Sequence, residues 1–577
     1  MKAMKKWMAW LFVFVLLVSA MGCSGGGENS STAGDTSAAS DSNTGGNSVE
    51  ESQAEVKEGN SWEWEAAEGI TLTYFYDKLV PSAGFDGYWG KDYVSQKIIE
   101  DTGINLEFQF PPDNSHSKLQ VLIAGGTLPD MIMSDYHLSI VQQLATNDRI
   151  WAIDDLQDEY APDFLSRNLG DHVILHQRMS WNSMKVYGIP NGYYSQEMLE
   201  SGDFAKNKQG VAVIEQIYQE LGSPDTTTID GFLDLLRQVK EQYPDMIPAQ
   251  ASRNNGKDAD GNLRLIYKLF PMFDLGSRYD MIDGKYVKYW YSPKFLDLLK
   301  FVNTLYNEGL IDPTEFTDSG EQLQAKEFSG MVFADMNQDA NNIDWFNREL
   351  QKLHPDWNFV MIEAPSAYED APYGADSIGG GVGNETVTMI TKSGEHPGRC
   401  LQLMDYMLQD DTQIMLSFGI EGESWDYNED GIPTLYPEFN EMEDDEKKGT
   451  YGVGAYWLFG TNDIDAMTEK NGASDAQVRS LDTTSKYYKD LSFFSGAESY
   501  SADSEEIKIF TNVKEYYEVK IMELITCAPD QLEGLYEEMI STIDGMGQET
   551  LNEQIDAFFQ NKDATMQQYS AGLASYE

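Results

Sequence analysis

Hydrophobic and polar positions begin to alternate at Thr71, and Thr71-Leu-Thr-Tyr-Phe-Tyr76 reads as a half-buried strand. From Tyr93 to Thr102 the apolar positions recur at helical spacing, and Ile104-Asn-Leu-Glu-Phe-Gln-Phe110 then returns to a period of two. Ser117 to Ala124 predicts a second helix. The Gly125-Gly126-Thr127-Leu128-Pro129 turn ends it, and Asp130-Met-Ile-Met133 follows as a short buried strand. Strand, helix, strand, helix, strand implies a parallel sheet with crossover helices, an α/β architecture. Further helices are signalled at Thr228 to Arg237, at Pro293 to Leu305 where Ser292 caps and Pro293 fits the first turn, from His396-Pro397 to Leu408, and at Leu551 to Phe559. The sequence has no internal repeat. From Ser61 to Glu577 apolar residues are spread over more residues than one core usually supports, so two lobes are expected.

The first residues follow different rules. Lys2, Lys5 and Lys6 precede an apolar run from Trp7 to Met21 that is shorter than the roughly 20 residues of a membrane-spanning helix, so residues 1–22 read as a signal peptide. Gly22-Cys23 resembles a bacterial lipobox, which implies cleavage before Cys23, a diacylglycerol on its thiol, and lipid anchoring at the extracellular face of the cell membrane. Residues 23–60 hold almost no large apolar side chain and read as a lipid-anchored disordered linker. With 96 acidic against 40 basic residues the formal charge is −56, a field that repels phosphate backbones and anionic lipid. Nucleic acid is excluded as a partner, and membrane contact is expected through the lipid anchor only. Beyond Cys23, Cys400 and Cys527 are too few for a disulfide framework; a buried thiol at Cys400 and a single Cys400–Cys527 bridge are the alternatives.

Several short segments, taken in order, carry a resemblance. They are Asp101-Thr-Gly-Ile104, Ala124-Gly-Gly-Thr-Leu-Pro-Asp130, Tyr187-Gly-Ile-Pro190, Glu308-Gly-Leu-Ile-Asp312, Phe328-Ser-Gly-Met331, and Phe418-Gly-Ile-Glu-Gly422 followed by Tyr427-Asn-Glu-Asp-Gly431. Together they resemble the family 1 extracellular solute-binding proteins of carbohydrate ABC importers. The resemblance implies a two-lobed periplasmic-binding-protein-like fold of type II, with hinged lobes and a ligand cleft. By position it puts residues 61–188 and 378–423 in lobe 1 and residues 189–377 and 424–577 in lobe 2. Tyr187 to Pro190 and Ser377 to Gly383 fit its hinge crossovers. The implied function is capture of a soluble carbohydrate, an oligosaccharide given the chain's size, and delivery to the transmembrane subunits of an ABC permease, without catalysis. A surface-anchored glycan-active hydrolase is the competing expectation.

A sugar pocket needs aromatic platforms beside carboxylates and amides, and ligands of open α/β sheets sit outside the carboxyl ends of strands. That rule selects Tyr76 and Asp77, Asp135 and Tyr136, Asn191 and Tyr193, Asn337, and the loop of Trp425. A solvated turn or helix cap is the competing reading for Asp77 and Asp135, and core packing for Trp425. Trp181 and Trp345 are divided between cleft and core, and Tyr487-Tyr488 and Tyr516-Tyr517 are assigned to packing.

Catalytic and metal patterns are poor. His172 and His176 lack the glutamate of HExxH, Gly379-Gly-Gly-Val-Gly383 lacks the Lys-Ser/Thr of a phosphate loop, and no G-x-S-x-G elbow occurs. Asp258-Ala-Asp-Gly-Asn262 lacks the closing glutamate of an EF-hand and reads as a solvated loop, with calcium the lesser alternative. No catalytic residue, cofactor or metal is therefore assigned.

Overall fold

The first strand, β1 (Ile70–Tyr76), forms because its alternating residues put Leu72 and Tyr74 into one core while Phe75 enters another on the opposite face. The structure, a computed structural model, describes residues 69–78, 85–113, 115–135, 138–201, 208–251, 260–368, 386–429, 431–456, 458–486, 497–498, 500 and 504–574. The expected signal peptide, Cys23 and its linker lie outside the described residues, as do Tyr136, Asp258, the Ser377–Gly383 hinge and Tyr487–Tyr488.

Parallel partners flank β1 on both sides: β2 (Ile104–Gln109) in register Tyr74 to Phe108, and β3 (Met131–Asp135) in register Tyr76 to Met133. Local chemistry sets both crossovers. The Asp92 carboxylate caps the helix Tyr93–Thr102 by accepting from the Ser95 amide at 2.9 Å, and Gly103, at φ 66°, donates back to Ile99 and releases the chain into β2. The helix Ser117–Gly125 ends at Gly126, and Asp130 then accepts from the Thr73 amide at 2.8 Å and hydroxyl at 2.6 Å, which seats β3 against β1.

The other half of this sheet departs from the all-parallel expectation. β4 (Ile189–Tyr193) is fully buried, and its partner is a later strand, β11 (Thr386–Ile390), which runs antiparallel to both β4 and β3. The two residues of β14 (Gly460–Thr461) complete the order β14-β4-β11-β3-β1-β2. The chain therefore stays in the first sheet beyond Gly188. Ile189 and Tyr193 pack in the same core as Leu72 and Met404, and Tyr456, Phe459, Tyr569 and Leu573 join them from downstream of the expected boundary at Glu423. The helix Lys562–Tyr569 is held there by the Tyr569 hydroxyl, which donates to Asn182 at 2.6 Å.

A second core surrounds a separate sheet built from β5 (Gln209–Ile214), β6 (Ile247–Gln250), β9 (Val332–Asp339) and β10 (Phe359–Met361), in the order β10-β5-β9-β6. Between β6 and β9 lies the hairpin of β7 (Tyr279–Ile282) and β8 (Lys285–Lys288). Amphipathic helices cover the sheet as their sequences require. Thr228 caps Ile229–Gln242, Ser292 caps Pro293–Asn307 with Pro293 in its first turn, and Ser319 with Gln322 forms a capping box at Gly320–Phe328. Every residue of this core falls between Val211 and Ala364 or between Ala476 and Ile543, so the two lobes have separate interiors.

An edge strand presents unpaired backbone groups, and β10 meets that problem with side chains. Asn347 accepts from the Phe359 amide at 2.6 Å and donates to the Phe359 carbonyl at 3.2 Å, while Ser480 accepts from the Met361 amide at 3.0 Å. Asn347→Ala would leave that buried amide without its acceptor, at a cost of about 1 to 3 kcal/mol. A urea titration should show a lower midpoint with an unchanged slope, and an unchanged midpoint would mean that Asn347 does not protect the edge.

Candidate functional site

Parallel pairing brings the carboxyl ends of β1 and β3 side by side, and the first residue released from β1 is Asp77. Its amide donates to the Met133 carbonyl at 2.9 Å, and only 1% of the residue is exposed. One carboxylate oxygen, Oδ2, accepts from the Ser134 hydroxyl at 2.7 Å and from His116 Nδ1 at 2.8 Å, the proton being assigned to the nitrogen that faces the carboxylate. The other oxygen, Oδ1, is buried without a hydrogen-bond partner. His116 holds a left-handed backbone, φ 58°, at the start of the helix Ser117–Gly125. At the end of β3, Asp135 pairs with Lys78 at 3.2 Å.

Aromatic rings stand at the same edge on the other face of the sheet, where Tyr76 and Phe110 pack against the core of Leu72 and Tyr74. Tyr76 lies 6.1 Å from Phe110 at an interplanar angle of 49°, and Phe110 stacks on Phe108 at 6.2 Å and 22°. Tyr76 and Phe110 are half-buried, and burial pushes the Tyr76 phenol above its ordinary pKa, so the ring stays neutral. Half-buried rings and carboxylates at one strand edge offer what the two surfaces of a sugar need, its C–H face and its hydroxyls.

Of the residues selected from sequence, Tyr76, Asp77 and Asp135 share one sheet edge, Tyr76 and Asp135 on one face and Asp77 on the other. Asn191 shares their edge: Asp135 faces Thr386 on β11, and the next residue, Val387, faces Pro190 on β4. Tyr193, two residues on, turns into the core and donates its hydroxyl to the Asn168 carbonyl at 2.6 Å. Asn337 is buried in β9 of the other lobe, where its backbone N–H donates to the Asp335 carboxylate at 2.9 Å.

Trp425 opens a small hairpin, β12 (Trp425–Tyr427) with β13 (Pro433–Leu435). Its indole N–H donates to the Gly419 carbonyl at 3.0 Å, and it is 4% exposed. Tyr427, 5.0 Å away, carries the exposed ring of that hairpin. Trp181 is buried with its N–H on Gln177, while Trp345 stands partly exposed against Phe328.

Sequence reading missed Phe110, His116 and Ser134. Phe110 closes the alternation of β2 just before Pro111-Pro112, which was the available signal. Nothing local announces His116, because its contact with Asp77 spans 39 positions.

Among the described residues no group of three or more His, Cys, Asp or Glu side chains is arranged to hold a metal. The turn considered for calcium has three of its side-chain oxygens engaged elsewhere. Asp260 pairs with Lys288 at 2.9 Å and Arg278 at 3.4 Å, and Asn262 bonds the hydroxyls of Tyr289 and Tyr517. Cys400 and Cys527 are free thiols and pack in different lobes, so they do not form the disulfide that export would permit. Burial raises the Cys400 thiol above its ordinary pKa and keeps it protonated.

No family model matches the chain. Lipoprotein LipO of Bacillus subtilis is 22% identical over 363 residues, covering 59% of this chain and 65% of LipO. The fructooligosaccharide ABC transporter substrate-binding protein FusA of Streptococcus pneumoniae is 23% identical over 273 residues, 45% of this chain and 49% of FusA. The chain thus spans between about half and two thirds of the length of these curated relatives.

Whole-fold similarity is broader. FusA in complex with kestose superposes with a TM-score of 0.60 at 16% identity, covering 86% of this chain and 100% of FusA. The alginate-binding protein AlgQ2 does so with a TM-score of 0.62 at 16% identity, covering 87% of this chain and 100% of AlgQ2. In sequence the chain is thus similar to lipoprotein LipO and to the ABC transporter substrate-binding protein FusA, and it shares its fold with FusA and AlgQ2.

Proposed function

We propose that this protein captures an oligosaccharide between its lobes and delivers it to the transmembrane subunits of an ABC permease. The observation that carries the reading is the carboxyl edge of the first sheet, where half-buried Tyr76 and Phe110 rings and the Asp135 and Asp77 carboxylates gather at the ends of adjacent strands. Support comes also from the fold, which this chain shares with the kestose-bound FusA and with AlgQ2.

Asp77, Asp135 and Tyr76 supply the first lobe's contacts in this proposal, with Asn191 beside them. Asn337 contributes from the second lobe. Trp425 acts indirectly, by holding the hairpin that carries Tyr427. The mechanism asks only that the guest bind the closed arrangement better than the open one, which shifts the population toward the form a permease recognises. No bond is made or broken in the sugar, so the protein works as a carrier and not as a hydrolase. Anchoring through a diacylglycerol on Cys23, at the outer face of the cell membrane, would keep the carrier near its permease. Globomycin should then cause an unprocessed precursor to accumulate, and an unchanged mature size would contradict the anchor.

Thermal shift against a panel of oligosaccharides tests the capture itself. A bound sugar should raise the midpoint in proportion to the logarithm of its concentration above Kd, and chromatography should recover the sugar unchanged. Asp77→Asn should weaken binding by about 1.5 to 3 kcal/mol, the worth of a hydrogen bond to a charged group, while keeping the fold. Unaltered affinity in that variant would move the site away from this edge, and release of shorter sugars would replace the carrier with an enzyme.

A further inference from the structure

Resting on the capture reading above, we propose that Lys208 steers the hinge by exchanging one carboxylate for another, Glu469 for Asp465, as the lobes swing. β4 and β14 belong to the first sheet and β5 to the second, so the chain passes between lobes from Tyr194 to Lys208. It passes again from Asn462 to Ser474, because the helix Asp475–Thr484 packs in the second core. The two crossovers lie side by side. The Asn462 amide donates to the Tyr193 carbonyl at 2.6 Å, and the Ser195 amide donates to the Asp463 carboxylate at 3.0 Å.

Each partner in the exchange rides on a different lobe. The helix Asp463–Thr468 packs on the helix Asp410–Phe418, whose Leu416 lies in the first core and whose Gln413 accepts from the Thr461 amide at 3.2 Å. Lys208 directly precedes β5. Its carbonyl accepts from the Ala340 amide at 2.8 Å, and its neighbour Gln209 donates to the Asp339 carboxylate at 3.0 Å, so it moves with the second lobe. Between them runs an ion pair, Lys208 to Glu469 at 3.2 Å, in which only 3% of the glutamate side chain and 15% of the lysine side chain are exposed. A change in the angle between lobes therefore carries this ammonium along the helix.

Glu469 keeps helical backbone at the end of that helix, with φ −56° and ψ −28°, and Asp465 lies four positions earlier. Residues at that spacing share a face, about 5 to 6 Å apart between Cβ atoms. Asp465 reaches solvent yet is hemmed in by protein, which raises its carboxyl above the ordinary pKa, and the Lys208 charge already acts on it in the opposite sense. Two carboxylates one turn apart and a single ammonium give two discrete pairings. A sheltered cation that leaves one partner needs another, since standing unpaired costs more than either pairing returns. Glu469 holds Lys208 in the arrangement described here, and Asp465 receives it in the other. Lys208 is thus a positioning residue, acting on capture through the angle of the lobes.

Glu469→Gln and Asp465→Asn each remove one pairing, and isothermal titration with kestose, maltotetraose and mannotetraose reads the consequence. The two variants should shift Kd in opposite senses, each by about threefold or more, because each biases the equilibrium between open and closed forms toward a different side. X-ray scattering without ligand should find the tighter-binding variant the more compact of the two. In a Lys208→Met background neither substitution should change Kd further, since both act through the ammonium.

Shifts of Kd in the same sense, or none in either variant, would overturn the exchange and leave capture standing. Failure of all three sugars to bind the unsubstituted protein would instead count against the capture reading itself, and this proposal would fall with it.

Discussion

Parallel pairing of β1 with β2 and β3 sends three consecutive strands out at one edge, where the sheet can no longer satisfy the groups they release. Each strand needs a helical return to the opposite edge, so capping at Asp92 and the left-handed turns at Gly103 and Gly126 are what make the arrangement possible. The Thr73–Asp130 bonds then fix how far β3 projects, and Asp77 emerges beside Ser134 because of that register. A shift of one residue would exchange the faces of β3 and bury the wrong side chains.

Separate interiors follow from the way the chain is threaded. β4 and β11 pair with each other although almost two hundred positions separate them, and the second lobe is folded from residues between them together with the stretch from Ala476 to Ile543. The helix Asp475–Thr484 then returns to that lobe and covers β10 through Ser480, after which Lys562–Tyr569 comes back to the first. Cores that do not share residues can shift against one another without opening either, which is the structural requirement for hinged capture. Tight side-chain protection of β10 has a complementary purpose, since an exposed edge would invite pairing with other chains.

Much of the first sheet was legible because its signals are local. Alternation marked β1 and β2, helical spacing and glycine turns marked the crossovers, and the strand-end rule selected Tyr76, Asp77 and Asp135, which the register of β1 and β3 does bring to one edge. Where the sequence misled, a long-range partner decided the outcome. Ile189-Pro190 reads as an interlobe crossover that opens the second lobe, yet it is buried strand of the first sheet because β11 arrives beside it. Trp425 reads as a platform in a glycine-rich loop, but Asn428 closes a hairpin by accepting from the Ile432 amide at 2.9 Å, and the indole is folded under it. His116 and Ser134 were invisible for the same reason, since only the register of β3 brings them to Asp77.

Closure of two lobes around an intact sugar is the central claim, and solution X-ray scattering tests it most directly. At a saturating concentration of an oligosaccharide identified by thermal shift, the radius of gyration should contract relative to the unliganded protein, and the sugar recovered from the same sample should be chemically unchanged. An identical radius with ligand bound, or a recovered sugar that has been cut, would contradict the account.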